Sequence, residues 1–137
     1  FARHLLAKGY VKTTEEALFA GIAQMRAGSV LDDISGAVEA VAVREGMGIV
    51  RQYGGHGVGH DMHEDPFLFN YRVGDKTLIK SGYAIAIEPM LNLGCDEVVV
   101  ADDEWTVSTK DGKPSAHFEH TVLATDDDPL IITQLME

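Results

Sequence analysis

The sequence predicts an α+β fold in which two helices precede a mainly antiparallel set of short strands. Three observations predict it. Apolar residues recur at helical spacing up to the glycine at 46, then at strand-like spacing from Ile49 onward. Turn-forming clusters cut the second region into short β-rich runs. The helices are thus segregated from the strands, the mark of α+β rather than α/β architecture.

The elements follow in order. Residues 2 to about 27 carry Leu5, Leu6, Leu18, Ile22 and Met25 at helical spacings. Gly9 is a candidate interruption, and Thr13 with Glu16 offers a capping box for a restart. Gly28 is the stop. Ser29 and Asp32 repeat the capping pattern, and Leu31, Ile34, Val38 and Val41 give a second helix one apolar stripe that Gly46 ends. Strands are expected at 49–53, 77–79, 84–88, 97–100, 105–109, 117–124 and 130–133. Val73-Gly74-Asp75, Lys80-Ser81-Gly82, Asp111-Gly112 and Asp126-Asp127-Asp128-Pro129 separate them.

Composition bounds the function. The chain has 137 residues, 45% of them hydrophobic, which suits one domain with a real core. Its net charge of −11, without a Lys/Arg cluster, argues against nucleic acid or an anionic membrane as a partner. A single cysteine, Cys95, excludes an internal disulfide and fits a reducing cytoplasm. No apolar run approaches the ~20 residues that span a bilayer, and no signal peptide is visible. The chain opens on Phe1 rather than Met, as expected of a piece of a longer protein or a processed product.

Residues 54–66, Gly54-Gly55-His56-Gly57-Val58-Gly59-His60-Asp61-Met62-His63-Glu64-Asp65-Pro66, hold four glycines and three histidines. Glycine permits close backbone approach to a bound group, and imidazole binds transition metals through either nitrogen. The segment reads as a site loop that Pro66 stops. Glu88 ends the apolar run Ala84-Ile85-Ala86-Ile87, on the face of Ala84 and Ala86, where a carboxylate needs a metal or a partner to offset desolvation. The other reading is a strand-end glutamate in solvent. Glu119 shares a face with His117 and Thr121, as a metal ligand with outer-shell support or as a solvated strand face.

No generic zinc spacing is present. Two histidines with two carboxylates suit a catalytic metal site. Ser115 lacks a nucleophile-elbow context, and Cys95 has no obvious base. The acidic runs at 102–104 and 126–128 read as solvated turns.

The ordered motifs GHGVGHDMHEDP at 55–66, IEPM at 87–90, EWTVSTKDGKPSA at 104–116 and FEHT at 118–121 resemble the type I methionine aminopeptidase family. The 31-residue step from Glu88 to Glu119 leaves no room for the helical insertion of type II. The resemblance implies the C-terminal half of a pita-bread fold, with residues 1–137 as one partial catalytic domain. It implies an enzyme that removes the N-terminal methionine of nascent polypeptides, cytoplasmic and associated with the ribosome. The cofactors would be two divalent ions, drawn from Co, Mn, Fe, Ni and Zn.

Carried onto this sequence, His56 would bind one metal, and Glu88 would bind metal and take a proton from the attacking water. Glu119 would bridge both metals, and His63 would hydrogen-bond the scissile carbonyl and its oxyanion. Met62 and Trp105 would wall the methionine pocket. Family members also supply two aspartate ligands and a further catalytic histidine from strands ahead of the first helix. Those aspartates stand about eleven residues apart in the family, and no pair of aspartates here has that separation; Gly54 stands where cysteine is common, and His60 where arginine is common. The isolated chain is therefore expected to be inactive, to bind metal weakly, and to self-associate through an exposed half-fold face. Two other readings stay open: a non-catalytic binding module of the same fold, and half of a proline-directed peptidase.

Overall fold

Two helices form where the apolar periodicity puts them. The computed structural model describes residues 2–134, with side chains from residue 9 onward, so the side chains of Leu5 and Leu6 lie outside the described residues. Helix α1 spans Ala2–Ile22 and runs unbroken through Gly9, so no restart occurs at Thr13. The Thr13 and Thr14 hydroxyls instead donate to the carbonyls of Gly9 and Tyr10, one turn back. The helix also ends short of the expected residue 27. Beyond Ile22 the backbone finds partners in the strand region: Arg26 bridges Thr125, Ala27 N–H donates to Thr125 and Gly28 N–H to Ile79. Tertiary pairing here overrides helical pattern.

Helix α2 spans Leu31–Arg44. Its start is one residue later than the capping signal: the N-cap is Val30, whose N–H donates to Asp33 Oδ2 at 3.0 Å. Asp32 turns inward instead. Its Oδ1 accepts from the N–H groups of Val73 and Gly74, both at 2.9 Å, and its Oδ2 from Arg72 Nη1 at 3.1 Å. Burial pushes this carboxyl up, but those backbone bonds and Arg72 outweigh it and hold the pKa below the usual aspartate value. Gly46 ends α2 as expected, with φ +64. Gly46 N–H donates to Val43 and Met47 N–H to Ala42, the paired bonds of a Schellman cap.

Ten short strands follow: β1 Gly48–Ile49, β2 Gly55–Gly57, β3 Glu64–Leu68, β4 Ala84–Ile87, β5 Met90–Asn92, β6 Val98–Val100, β7 Val107–Thr109, β8 Ser115–His117, β9 His120–Leu123 and β10 Leu130–Ile131. They form a five-stranded sheet in the order β10-β9-β4-β2-β3, a three-stranded sheet β1-β5-β8, and the hairpin β6-β7. Every one of these pairings is antiparallel. Four expectations need correction. The segment 54–66 is a hairpin rather than a loop, and Pro66 lies inside β3, an edge strand where a missing N–H is tolerated. The run 77–79 gives only one bridge, Leu78 to Val30. The run 117–124 divides into β8 and β9, which belong to different sheets. Strand β5 forms although no strand was expected over 90–92.

The helices cover both sheets. Leu18, Ile22, Met25, Leu31 and Ile34 pack with Ile85, Ile87, Leu68 and Val122 of the five-stranded sheet. Ala17, Val38, Val41 and Ala42 pack with Ile49 and Leu91 of the three-stranded one. Alternation along β4 is therefore hidden: Ile85 and Ile87 face the helices, and Ala86 is too small to rise above its cross-strand partners His56 and Thr121. No helix among the described residues is long and apolar enough to cross a membrane.

Candidate metal centre

Two breaks in regular pairing define the site. Strand β4 pairs with β9 and strand β5 with β8, so the chain leaves one sheet and enters the other twice, at 88–89 and at 118–119. Glu88 occupies the first crossover and Glu119 the second. The crossovers lie side by side, with Phe118 N–H directed at the Pro89 carbonyl at 3.4 Å. Proline after Glu88 removes a donor just where pairing stops.

Glu88 is mostly buried, its side chain 15% exposed, so the solvent-facing reading fails. Its Oε1 lies 3.5 Å from His56 Nε2 and its Oε2 3.5 Å from His117 Nε2. His56 is central in β2 and pairs with Ala86 of β4. The flanking glycines are sterically required: a Cβ on Gly55 would meet the Ala86 carbonyl, and one on Gly57 the Asp65 carbonyl. His56 Nδ1 is 2.9 Å from the Gly57 carbonyl, which can only accept. Nδ1 therefore carries a proton, and Nε2 is the nitrogen that faces Glu88.

Glu119 is exposed, and it converges with Glu88 and His117. One donor atom from each of the three lies within 4.8 Å of the others. The Glu88 carboxylate beside it raises the His117 pKa above the ordinary imidazole value; burial pulls the other way, and the charge of Glu119 adds to the rise. The sequence pattern pairs His117 with Glu119 but gives no reason to set it against Glu88, because that contact crosses from β8 to the end of β4. A second residue escaped sequence reasoning. Asn70 is fully buried, and its Nδ2 donates to the Glu88 carbonyl at 3.1 Å. The only hint was an asparagine inside the apolar run Phe67-Leu68-Phe69-Asn70-Tyr71.

His63 is exposed and tilts over His56, ring centroids 4.2 Å apart. The two line one open depression with Gly54, Glu64, Asp65 and Phe67. An apolar cleft opens beside His117, lined by Val50, Tyr53, Met90, Val98 and Val107. Met62 is 72% and Trp105 86% exposed, and neither lines the depression or the cleft. His60 is exposed as well. Cys95 is away from the cluster, its Sγ directed at the Glu97 carbonyl.

The structure sets His56 against one oxygen of Glu88 and His117 against the other, gathers Glu119 with Glu88 and His117 rather than with His56, and lays His63 over His56. Two imidazoles and two carboxylates are a donor set that suits divalent first-row metals. The spacing fits a metal better than direct bonding, since 3.5 Å exceeds a good N–H···O hydrogen bond.

Residues 6–126 match the profile of metallopeptidase family M24. The chain is 50% identical over 129 residues to methionine aminopeptidase 1 of Mycobacterium tuberculosis, covering 89% of this chain and 48% of that protein. Solved structures similar to it include the methionine aminopeptidases of Rickettsia prowazekii (TM-score 0.91, 36% identity, 95% of this chain and 53% of that one) and Thermotoga maritima (TM-score 0.90, 40% identity, 93% and 52%). The prolidase of Pyrococcus furiosus, at 21% identity and a TM-score of 0.71 over 95% of this chain and 33% of that one, shares the fold alone. The chain spans about half the length of the curated relatives it matches.

Proposed function

The chain belongs to metallopeptidase family M24, and from that membership we propose that it forms part of a methionine aminopeptidase. The reaction is hydrolysis of the first peptide bond of a nascent polypeptide, releasing its N-terminal methionine. One observation carries the reading: Glu88 is mostly buried with an imidazole 3.5 Å from each oxygen, at the crossover of a fold shared with methionine aminopeptidases. Relatives named for methionine reach 50% identity, against about 20% for the prolidases, which favours methionine over proline specificity.

His56, Glu88 and Glu119 would hold divalent ions, two in the complete site. When bound, such ions supply a nucleophilic water at neutral pH and polarise the scissile carbonyl. The chain's own residues do the rest. His56, fixed by its bond to the Gly57 carbonyl, presents Nε2 as a donor. Glu88, held at its backbone by Asn70, accepts the proton that the attacking water gives up. His63, exposed beside His56, donates to the substrate carbonyl and to the negative charge that grows on it, a contribution of about 3 kcal/mol. Met62 and Trp105 are free to close on a methionine side chain from outside the sheets. Residues 1–137 act as one partial catalytic domain, in the cytoplasm and near the ribosome, where nascent chains emerge.

The test is release of methionine from Met-Ala-Ser with Co(II) or Mn(II). The chain is assayed by itself and mixed with a polypeptide that carries the family's two aspartate ligands. Release only in the mixture, with no cleavage of an Xaa-Pro dipeptide, is expected. Cleavage of Xaa-Pro alone, or no cleavage in the mixture, overturns the reading.

A further inference from the structure

We propose that His117 is a direct metal ligand which closes, with Glu88 and Glu119, a three-donor cation site made wholly by this chain. The proposal rests on the metal-binding part of the function above and goes beyond the ligands His56, Glu88 and Glu119 that the resemblance supplies.

Geometry is the first support. Donor atoms of Glu88, His117 and Glu119 lie within 4.8 Å of one another. The His117 Nε2 to Glu88 Oε2 distance is 3.5 Å. That is longer than an ordinary hydrogen bond of about 2.7–3.2 Å. It is close to the ~3.3 Å between two ligands of a tetrahedral ion bound at ~2.05 Å. Three protein donors with the remaining position open to solvent is the pattern of catalytic sites rather than structural ones.

Electrostatics is the second. Glu88 pairs with no lysine or arginine among the described residues; the basic groups beside its oxygens are the imidazoles of His56 and His117, each 3.5 Å away. Glu119 adds a second carboxylate within reach. Two carboxylates this close, one of them mostly buried, need positive charge, and a divalent ion supplies it more fully than a partly titrated imidazole. Access is the third support: the His117 side chain is 46% exposed, so an ion can reach it from solvent. Because His117 stands on strand β8, the three donors come from the three-stranded sheet and from both crossovers. Metal affinity then does not depend on aspartates supplied from elsewhere.

The experiment is Co(II) titration of the full chain by calorimetry, with proton NMR of the Co(II)-loaded protein. Each coordinated imidazole gives an exchangeable N–H resonance shifted far outside the normal range. The wild-type chain should show two: one from His117 in the three-donor site and one from His56, bound at the other oxygen of Glu88 as the proposed function has it. His117→Gln should show one and bind Co(II) more than about 100-fold more weakly, beyond the 10–100-fold that removal of an outer-shell partner costs. His117 is partly exposed, so the substitution leaves the core intact; His56→Gln, which should retain the His117 resonance, is the second variant. An unchanged set of shifted resonances in His117→Gln overturns the proposal, whether affinity falls tenfold or not at all. Failure of the wild-type chain to take up Co(II) also overturns it. Methionine release separates the two ideas. Co(II) bound without His117 and with turnover in the mixture leaves the function standing and this ligand wrong. Co(II) bound through His117 without turnover does the reverse.

Discussion

Two parts of the proposed site are built in opposite ways. His56 and Glu88 stand on or beside the central strands β2 and β4, with side chains 13% and 15% exposed. Met62 and Trp105 lie outside the strands, 72% and 86% exposed. The first pair is held by backbone: a strand partner, a carbonyl on His56 Nδ1 and Asn70 on the Glu88 carbonyl. Of the second pair, Trp105 has its backbone N–H tied to Asp103 Oδ1 at 3.0 Å within its own turn, and no hydrogen bond among the described residues holds either side chain. Chemistry of this kind needs donors fixed before the metal arrives, whereas an apolar wall can be assembled around its ligand. The comparison makes the proposed metal binding and the proposed substrate selection separable in this chain.

Four variants break or sharpen that contrast. The largest effect is expected from Glu88→Gln, which keeps the Asn70 contact to the backbone but removes the charge both imidazoles face. Metal affinity should fall more than about 100-fold, past the range for outer-shell changes, with little change in thermal unfolding. Calorimetry and a melting curve together check it. Gly55→Ala attacks the same region through its backbone, because the new Cβ meets the Ala86 carbonyl and forces β2 from β4. A loss of about 2–3 kcal/mol in denaturant unfolding, with weakened metal uptake, is expected.

Asp32→Asn tests the frame that carries both regions without touching either. It removes the acceptor charge for Val73, Gly74 and Arg72, and should cost about 2 kcal/mol at pH 7. The native pKa is lowered, so this stability is present above the unfolded value near 3.8 and is lost as pH falls through the lower folded value. Urea unfolding at pH 7 and pH 3 should therefore separate wild type from variant at the first pH more than at the second. Metal stoichiometry should not change. The smallest effect belongs to Met62→Ala with Trp105→Ala, which should shift stability by less than about 0.5 kcal/mol and leave metal binding as it was. A loss of metal in that double variant would show the two regions to be coupled. Sedimentation provides a separate check on self-association, with a clean monomer counting against it.

The helices and the ligand strand were legible because their signals are local. Leu18, Ile22, Ile34 and Val38 repeat within one or two turns, and Gly46 caps α2 by its own conformation. Glu88 was legible because a charge ending an apolar strand asks for a reason. The hairpin at 55–68 was not, since its glycines resemble a loop until the Ala86 and Asp65 carbonyls that exclude a Cβ are in place. The contact of His117 with Glu88 and the bond from Asn70 were hidden for the same cause. Each links residues 18 or more positions apart, across sheets or strands whose register no periodicity reveals. The capping signal missed by one residue because Asp32 found better partners at 72–74, and Asp33 took its place.

The paired crossovers have a mechanical consequence. Glu88 joins β4 to β5, Glu119 joins β8 to β9, and each strand pair passes from the five-stranded sheet to the three-stranded one. A cation gripped there is a rivet through the seam between two plates. Saturation at 100 times the dissociation constant would add about 2.7 kcal/mol to the folded state. That stabilisation would add to the helices packed across both sheets, which join the two plates whether or not the rivet is in place.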